Sequence, residues 1–327
     1  MSRLGIAFSG GADPAEIVEC VKLAETLGYE SAWVAEGHGG DQFAVLSACA
    51  VQTSKILLGT SITSVFVRTM PTIAMAAATV DAISGGRFIL GIGSSHKVQV
   101  EPEHGVPFRK PLTRVRESVE AIRALLRDGR VHYAGETVRI ESFDLWFTPR
   151  RRAIPIYLSA VRPKMTALCG EIADGVILNF MPVEAVPRML EHVRRGASRA
   201  GREASQLEIV SRFQTIVTDD VAAARGAIRH MMGPYFATSV YNRFVAWCGF
   251  PDEAAAILAG WQAKDRARNL AGVTDEMIDR IAVIGPAAHC RARLHAFAEA
   301  GVTTPMVHPF LFDEASIWAA FEQLAPG

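Results

Sequence analysis

Glu36 and His38, two apart in A-E-G-H-G-G-D, follow directly on a short apolar run, Ser31–Ala35. A carboxylate and an imidazole at the end of a strand are groups that can hold or orient a proton, the alternative being a solvated loop. The same placement recurs along the chain. Phe88-Ile89-Leu90-Gly91-Ile92-Gly93 reads as a strand buried on both faces, and it exits into Ser94, Ser95 and His96. Ser61 and Ile62 close another apolar run, Ile56–Ser61, and Asn179 ends a fourth in Val176–Asn179. Leu158-Ser159-Ala160-Val161-Arg162-Pro163-Lys164 leads from a strand into a helix opening at Pro163. The N–H groups at that helix start, with Arg162 and Lys164, make an anion site for a phosphate or an acidic tail, unless they form only a solvated basic turn. His308 stands near the end of a last run, where Pro305 and Pro309 could simply shape a turn around it.

Other chemistries are excluded by what is missing. Gly91 and Gly93 begin a dinucleotide fingerprint, but His96 takes the place of its third glycine and charged residues follow in place of a helix. There is no H-E-x-x-H, no paired cysteine motif, no G-x-S-x-G and no P-loop, so neither a metal nor a hydrolase nor a nucleotide-phosphate site is expected.

The elements that must position these residues alternate. Asp13 and Pro14 open a helix that Gly28 closes. Strands are expected at Leu4–Phe8, Ser31–Ala35, Ile56–Ser61, Phe88–Gly93, Ile154–Ser159, Val176–Asn179, Leu207–Val217 and Thr304–His308. Helices intervene, including Thr113–Arg127, and Asp313–Leu324 closes the chain. Eight strand–helix units with short connections predict an α/β (β/α)8 TIM barrel of one domain over residues 1–327. Two segments break the repeat: a hairpin at about 131–147, and a helical insertion in the seventh βα unit at about 233–285, which holds Tyr235, Tyr241, Trp247 and Trp261. The insertion is either decoration or a lid that keeps water from the site.

Composition narrows the setting. The 327 residues carry 34 basic and 34 acidic side chains, so nothing invites nucleic acid or an anionic membrane surface. The five cysteines are scattered and read as buried thiols of a reducing cytoplasm. No targeting segment and no membrane span is expected. Helices Asp41–Thr53 and Thr72–Ile83 are apolar over much of their surface, which points to a homodimer.

The words S-G-G-R-F-x-L-G-x-G (84–93), S-A-W-V-A-E (31–36), L-L-G-T-S-I (57–62), H-G-V-P-F (104–108), P-I-Y-L-S-A-x-x-P-K (155–164) and A-D-G (173–175) stand in order over most of the chain. Together they resemble the luciferase-like monooxygenase superfamily, in particular its branch that uses the deazaflavin coenzyme F420, and among that branch reductases of the methylene-tetrahydromethanopterin type. The resemblance implies an oxidoreductase that transfers a hydride between F420 and a small organic substrate. The alternative in the same superfamily is an FMN-dependent monooxygenase using oxygen, and a non-catalytic flavin-binding barrel is a third reading. It further implies that Glu36 or His38 lies beside the ring, with Gly37 inserted between an acid and a histidine that are adjacent in the commoner pattern. By the same resemblance a non-prolyl cis peptide between Ser61 and Ile62 backs the ring, where a regular strand end is the alternative. Relatives that oxidise sugar phosphates carry a carboxylate where this chain has His96, which here acts on the substrate or merely caps its loop. Ser94, Ser95, Ser159, Ala160, Val161, Arg162 and Asn179 would bind the cofactor, with Lys164 and Arg68 reaching its acidic tail. The superfamily also pairs through the side where the two apolar helices lie.

Overall fold

Helix starts follow the capping chemistry expected of the sequence. Asp13 accepts the N–H groups of Ala15 and Glu16 at the head of helix Pro14–Thr26, and Asp41 does the same for Phe43 and Ala44 before Gln42–Gln52. A computed structural model describes residues 3–9, 12–309 and 314–326. In it eight parallel strands follow one another around a ring: Gly5–Phe8, Ser31–Val34, Leu57–Thr60, Phe88–Gly93, Ile156–Ser159, Gly175–Asn179, Glu208–Val217 and Thr304–Pro309. The eighth returns to the first, with Ile6 opposite Val307, so the expected (β/α)8 barrel closes. No helix among the described residues is long and apolar enough to cross a membrane.

Alternate residues of each strand face the barrel axis, and they form layers. One layer is a dry core of Ala7, Trp33, Ile89, Tyr157, Ile177, Val210 and Met306. Toward the C-terminal ends of the strands, two residues further along most of them and four along the third and fourth, lies another layer, and it is lopsided. From the first strand to the fifth it offers Ser9, Ala35, Ser61, Gly93 and Ser159, all small. From the sixth to the eighth it offers Asn179, Arg212 and His308, all large and polar. Five small side chains leave room that three large ones face across the barrel.

The S-G-G-R word is chiefly structural. Arg87 spends its guanidinium on the carbonyls of Ala50, Thr53, Ile56 and Ser84, tying the third strand to the helices around it. Upstream of it, Asp81 is fully buried at the helix end and accepts Arg151 Nε at 2.9 Å. Arg151 is one-third exposed, so removing Asp81 loses a charge-assisted contact without stranding a buried charge. Asp81→Ala is therefore expected to cost ~1.5–3 kcal/mol in urea unfolding, and a loss within about 0.5 kcal/mol, the scale of an inert surface change, would show the pair to be idle.

Three expectations about elements need correction. After Ser94–His96 the chain does form a helix, Lys97–His104, ended by Gly105 in the left-handed conformation. It was hidden because it buries only Val100 and contains Pro102, so it has no apolar stripe to read. The far end of the 233–285 segment is not helical: Val283–Gly285 pairs in parallel with Thr215–Val217. The ten-residue seventh strand outruns its neighbours and leaves that edge open to a β-branched pair. The helices preceding it begin earlier than position 233, at Val221–Phe236, and continue as Ser239–Trp247, Pro251–Gln262, Arg266–Ala271 and Asp275–Ile281. Beyond the third strand, Thr63–Ser64 pairs anew with Ile92 and Gly93. An antiparallel hairpin occupies Arg130–Ala134 and Arg139–Asp144. The last helix is described from Glu314 to Leu324, and Asp313, its expected first residue, lies outside the described residues.

Candidate active site

At the C-terminal ends of the strands lies a cavity of about 540 Å3. Its wall brings together Glu36 and His38, Ser61 and Ile62, and Ser94, Ser95 and His96. It also takes in the run Ser159, Ala160, Val161 and Arg162, with Asn179 and His308 completing the set. Residues scattered over more than 270 positions thus meet at one end of the barrel, where α/β barrels carry their chemistry. Lys164 and Arg68, expected to reach the same rim, do not line it.

Glu36 is tied to the bulge next to it. Its carboxylate accepts the Ser64 N–H at 2.8 Å and Arg68 Nε at 2.5 Å, and its own N–H donates to the Ile62 carbonyl at 3.4 Å. Between those contacts the Ser61–Ile62 peptide is cis. Arg68 also pairs with Asp41, and burial works against that carboxyl's charge while Arg68 and two N–H groups hold its pKa below the usual value. Arg68 is therefore a clamp on two carboxylates and not a free rim cation. His38 is different: its side chain is 75% exposed and its Nε2 meets Glu103 at 2.9 Å, so it sits at the entrance.

Ser95 and Phe180, both on the cavity wall, hold positive φ values of 56° and 52°. A non-glycine residue in that region costs of order 1 kcal/mol and persists where neighbours enforce it. His96, next to Ser95, reaches the hydroxyl of Tyr235 at 3.2 Å and packs edge-on to its ring. Burial lowers its pKa, so the imidazole is neutral at pH 7. Tyr235 and Tyr241 come from the helices after the seventh strand, with ring centroids 4.5 Å apart, and with Met231 and Val240 they roof the cavity.

The far wall was not foreseen as part of the site. Arg212 and Gln214 project from the seventh strand beside Asn179 and His308, their register partners on the neighbouring strands. A signal existed: a charged residue and an amide two apart within the expected strand Leu207–Val217, which puts both on one face of it. Three atoms of this wall, Asn179 Oδ1, Gln214 Oε1 and His308 Nδ1, are buried without a hydrogen-bond partner. Orphaned polar atoms around a cavity are unusual in a finished interior and suit a polar ligand. With the small Ser61 across the barrel and Ser159 on the strand beside Asn179, the space fits a flat polar ring.

His308 makes a pH-dependent contribution. Its Nε2 meets Ser9 Oγ at 2.9 Å, and burial, aided by the charge of Arg212, holds its pKa well below the usual value. The unfolded chain binds that proton first, near pH 6.5. Stability is thus present above about pH 6.5 and lost as pH falls below it, at up to ~1.4 kcal/mol per pH unit. Urea midpoints measured between pH 7.5 and 5.5 should fall less steeply for His308→Gln, and equal slopes would refute the assignment.

A family model described as luciferase-like monooxygenase matches residues 2–304. The chain is 32% identical over 310 residues to a 5,10-methylenetetrahydromethanopterin reductase of Archaeoglobus fulgidus, covering 92% of this chain and 91% of that relative. The solved coenzyme F420-dependent tetrahydromethanopterin reductase of Methanopyrus kandleri superposes with a TM-score of 0.85 at 26% identity, covering 98% of this chain and 96% of the other. The oxygenating constituent of 3,6-diketocamphane monooxygenase of Pseudomonas putida, solved with FMN, gives 0.72 at 17% identity, covering 99% and 97%, a likeness of fold alone.

Proposed function

The chain belongs to the luciferase-like monooxygenase family, and from that premise we propose that it is an F420-dependent oxidoreductase moving a hydride between the deazaflavin and a small organic substrate. The observation that carries the reading is the lopsided layer: small residues on five strands make a slot, and a polar wall faces it. The deazaflavin supplies a carbon centre that gives or takes a hydride and activates oxygen poorly. Ser61, Ile62 and Ser159 would lie against the ring, and Ala160–Arg162, leading into helix Pro163–Ile172, would receive the phosphate. Glu36 holds the bulge in position, and Tyr235 and Tyr241 exclude water from above. His96, neutral and bonded to Tyr235, would share a proton with the substrate. The FMN-bound neighbour keeps a flavin monooxygenase as the second reading.

One experiment separates them. Purified protein is titrated with F420 and with FMN, then reduced and monitored for oxygen uptake. F420 should bind at least about tenfold, or ~1.4 kcal/mol, tighter, with no oxygen consumed. Tight FMN binding with oxygen uptake would establish the monooxygenase instead.

The same reading includes a homodimer and a cytoplasmic protein. Val51, Met75 and Ile83 are exposed on the adjacent helices Gln42–Gln52 and Met70–Ile83. Light scattering at micromolar concentration should give twice the chain mass, and a monomer mass would remove the dimer.

A further inference from the structure

The cavity wall carries four groups whose charge matters, and three are accounted for. Glu36 is engaged by Arg68 and Ser64, and Glu103 by His38. Arg162 stands beyond the fifth strand at the head of helix Pro163–Ile172, where the proposed function spends it on a phosphate. Arg212 is left. It projects from the middle of the seventh strand, in the layer just above Val210 and Met306, and so lies deeper than Arg162. Among the described residues it has no ion pair and no side-chain hydrogen bond. A guanidinium stays charged at any physiological pH and presents five donors in a fork that matches a carboxylate. Holding one partly buried with nothing opposite it costs stability unless a ligand supplies the anion.

We propose that Arg212, flanked by Asn179 and Gln214, anchors a carboxylate of the substrate. This rests on reading the cavity as an oxidoreductase site, and it adds a chemical class to that reading: a small organic acid. The neighbours suit the role. Arg212 lies in register with Asn179, and Gln214 with His308, so two side-chain amides and an imidazole share the guanidinium's wall of the cavity. The unpartnered Asn179 Oδ1 and Gln214 Oε1 leave acceptors for a donor elsewhere on the same molecule. His308, kept neutral, adds no second positive charge, so one carboxylate balances the wall. The slot over Ser61 and Ser159 remains for the cofactor.

The test uses three acid and amide pairs as probes: acrylate with acrylamide, benzoate with benzamide, and cinnamate with cinnamamide. Each is titrated calorimetrically into the full-length protein, alone and loaded with F420 or FMN. In the wild type at least one acid should bind ~10- to 100-fold tighter than its amide, the range of a charge-assisted pair. Arg212→Gln should bring that ratio to about one, Arg212→Lys should restore part of it, and F420 affinity should stay within about threefold in both. No acid preferred over its amide in the wild type would overturn the proposal, and that result needs no variant to fold. A preference that survives Arg212→Gln, or a loss of F420 affinity in its place, would overturn it too. The F420 titration of the wild type reports separately on the proposed function, because the acid preference is read with either cofactor and with none.

Discussion

Glu36→Gln is expected to lower turnover by about two orders of magnitude, with the fold intact and cofactor affinity changed far less. The expectation comes from what the carboxylate holds. It joins the Ser64 N–H and Arg68 on one side, while its own backbone N–H reaches the Ile62 carbonyl on the other. Ser64 in turn pairs with Gly93 on the fourth strand, so Glu36 fixes where the bulge stands relative to the barrel. A glutamine keeps one acceptor and loses the charge that Arg68 answers, a charge-assisted contact worth about 1.5–3 kcal/mol. Arg68 is then held by Asp41 alone, and the surface behind Ser61 and Ile62 is free to shift. Displacements of that kind act on kcat more than on binding, because a reacting geometry tolerates less than a bound one. Glu36→Asp, which restores the charge on a shorter arm, should recover part of the rate. His38→Ala should do little by comparison, since an exposed pair such as His38–Glu103 is worth about 0–1 kcal/mol. Wild-type kcat in Glu36→Gln would remove the carboxylate from the machinery.

The contrast between those two residues shows where the sequence is informative. A-E-G-H placed both at a strand end, and both do line the cavity. What it could not tell was which of them folds back, because that depends on Arg68, a residue 32 positions downstream of Glu36. The barrel itself was legible, since each strand is a compact apolar run bounded by glycine or polar residues. Helix Lys97–His104 was not, because it rests one residue on the core and offers no periodicity. Arg212 and Gln214 are hidden in the sequence for the opposite reason. They sit in an expected strand that also carries Glu208, Ser211 and Thr215, and only barrel closure brings their face to the axis, across from Ser61. Tyr235 and Tyr241 were visible as aromatic residues of an insertion, but that they roof the site is a matter of tertiary packing alone.

Gly93→Ala is expected to weaken cofactor binding by about 100-fold, some 2.7 kcal/mol, while the melting temperature stays near that of the wild type. Gly93 ends the fourth strand in the layer of small residues. A Cβ built there would lie 2.2 Å from Ser159 Oγ and 3.2 Å from Ile62 Cδ1. Gly93 does not itself line the cavity, but both of those side chains do, so the methyl would drive them into the slot. Neither has far to retreat, because the dry layer of Ile89, Tyr157 and Ile177 lies directly beneath. The cost falls on the ligand and not on the fold, since a hydroxyl and an isoleucine tip can yield toward open space. Gly91 is the control. Its Cβ would stand 1.9 Å from the Thr60 carbonyl oxygen, a backbone atom of a residue paired with Val34 on the second strand, so Gly91→Ala should destabilise the protein outright. The double change of Gly93→Ala with Ser159→Ala removes the hydroxyl in the way and should regain about tenfold of the lost affinity. Thermal melts and cofactor titrations of the four proteins decide the matter. If Gly93→Ala binds as the wild type does, the slot does not hold the ring. If it melts as early as Gly91→Ala, the glycine serves the barrel and not the site.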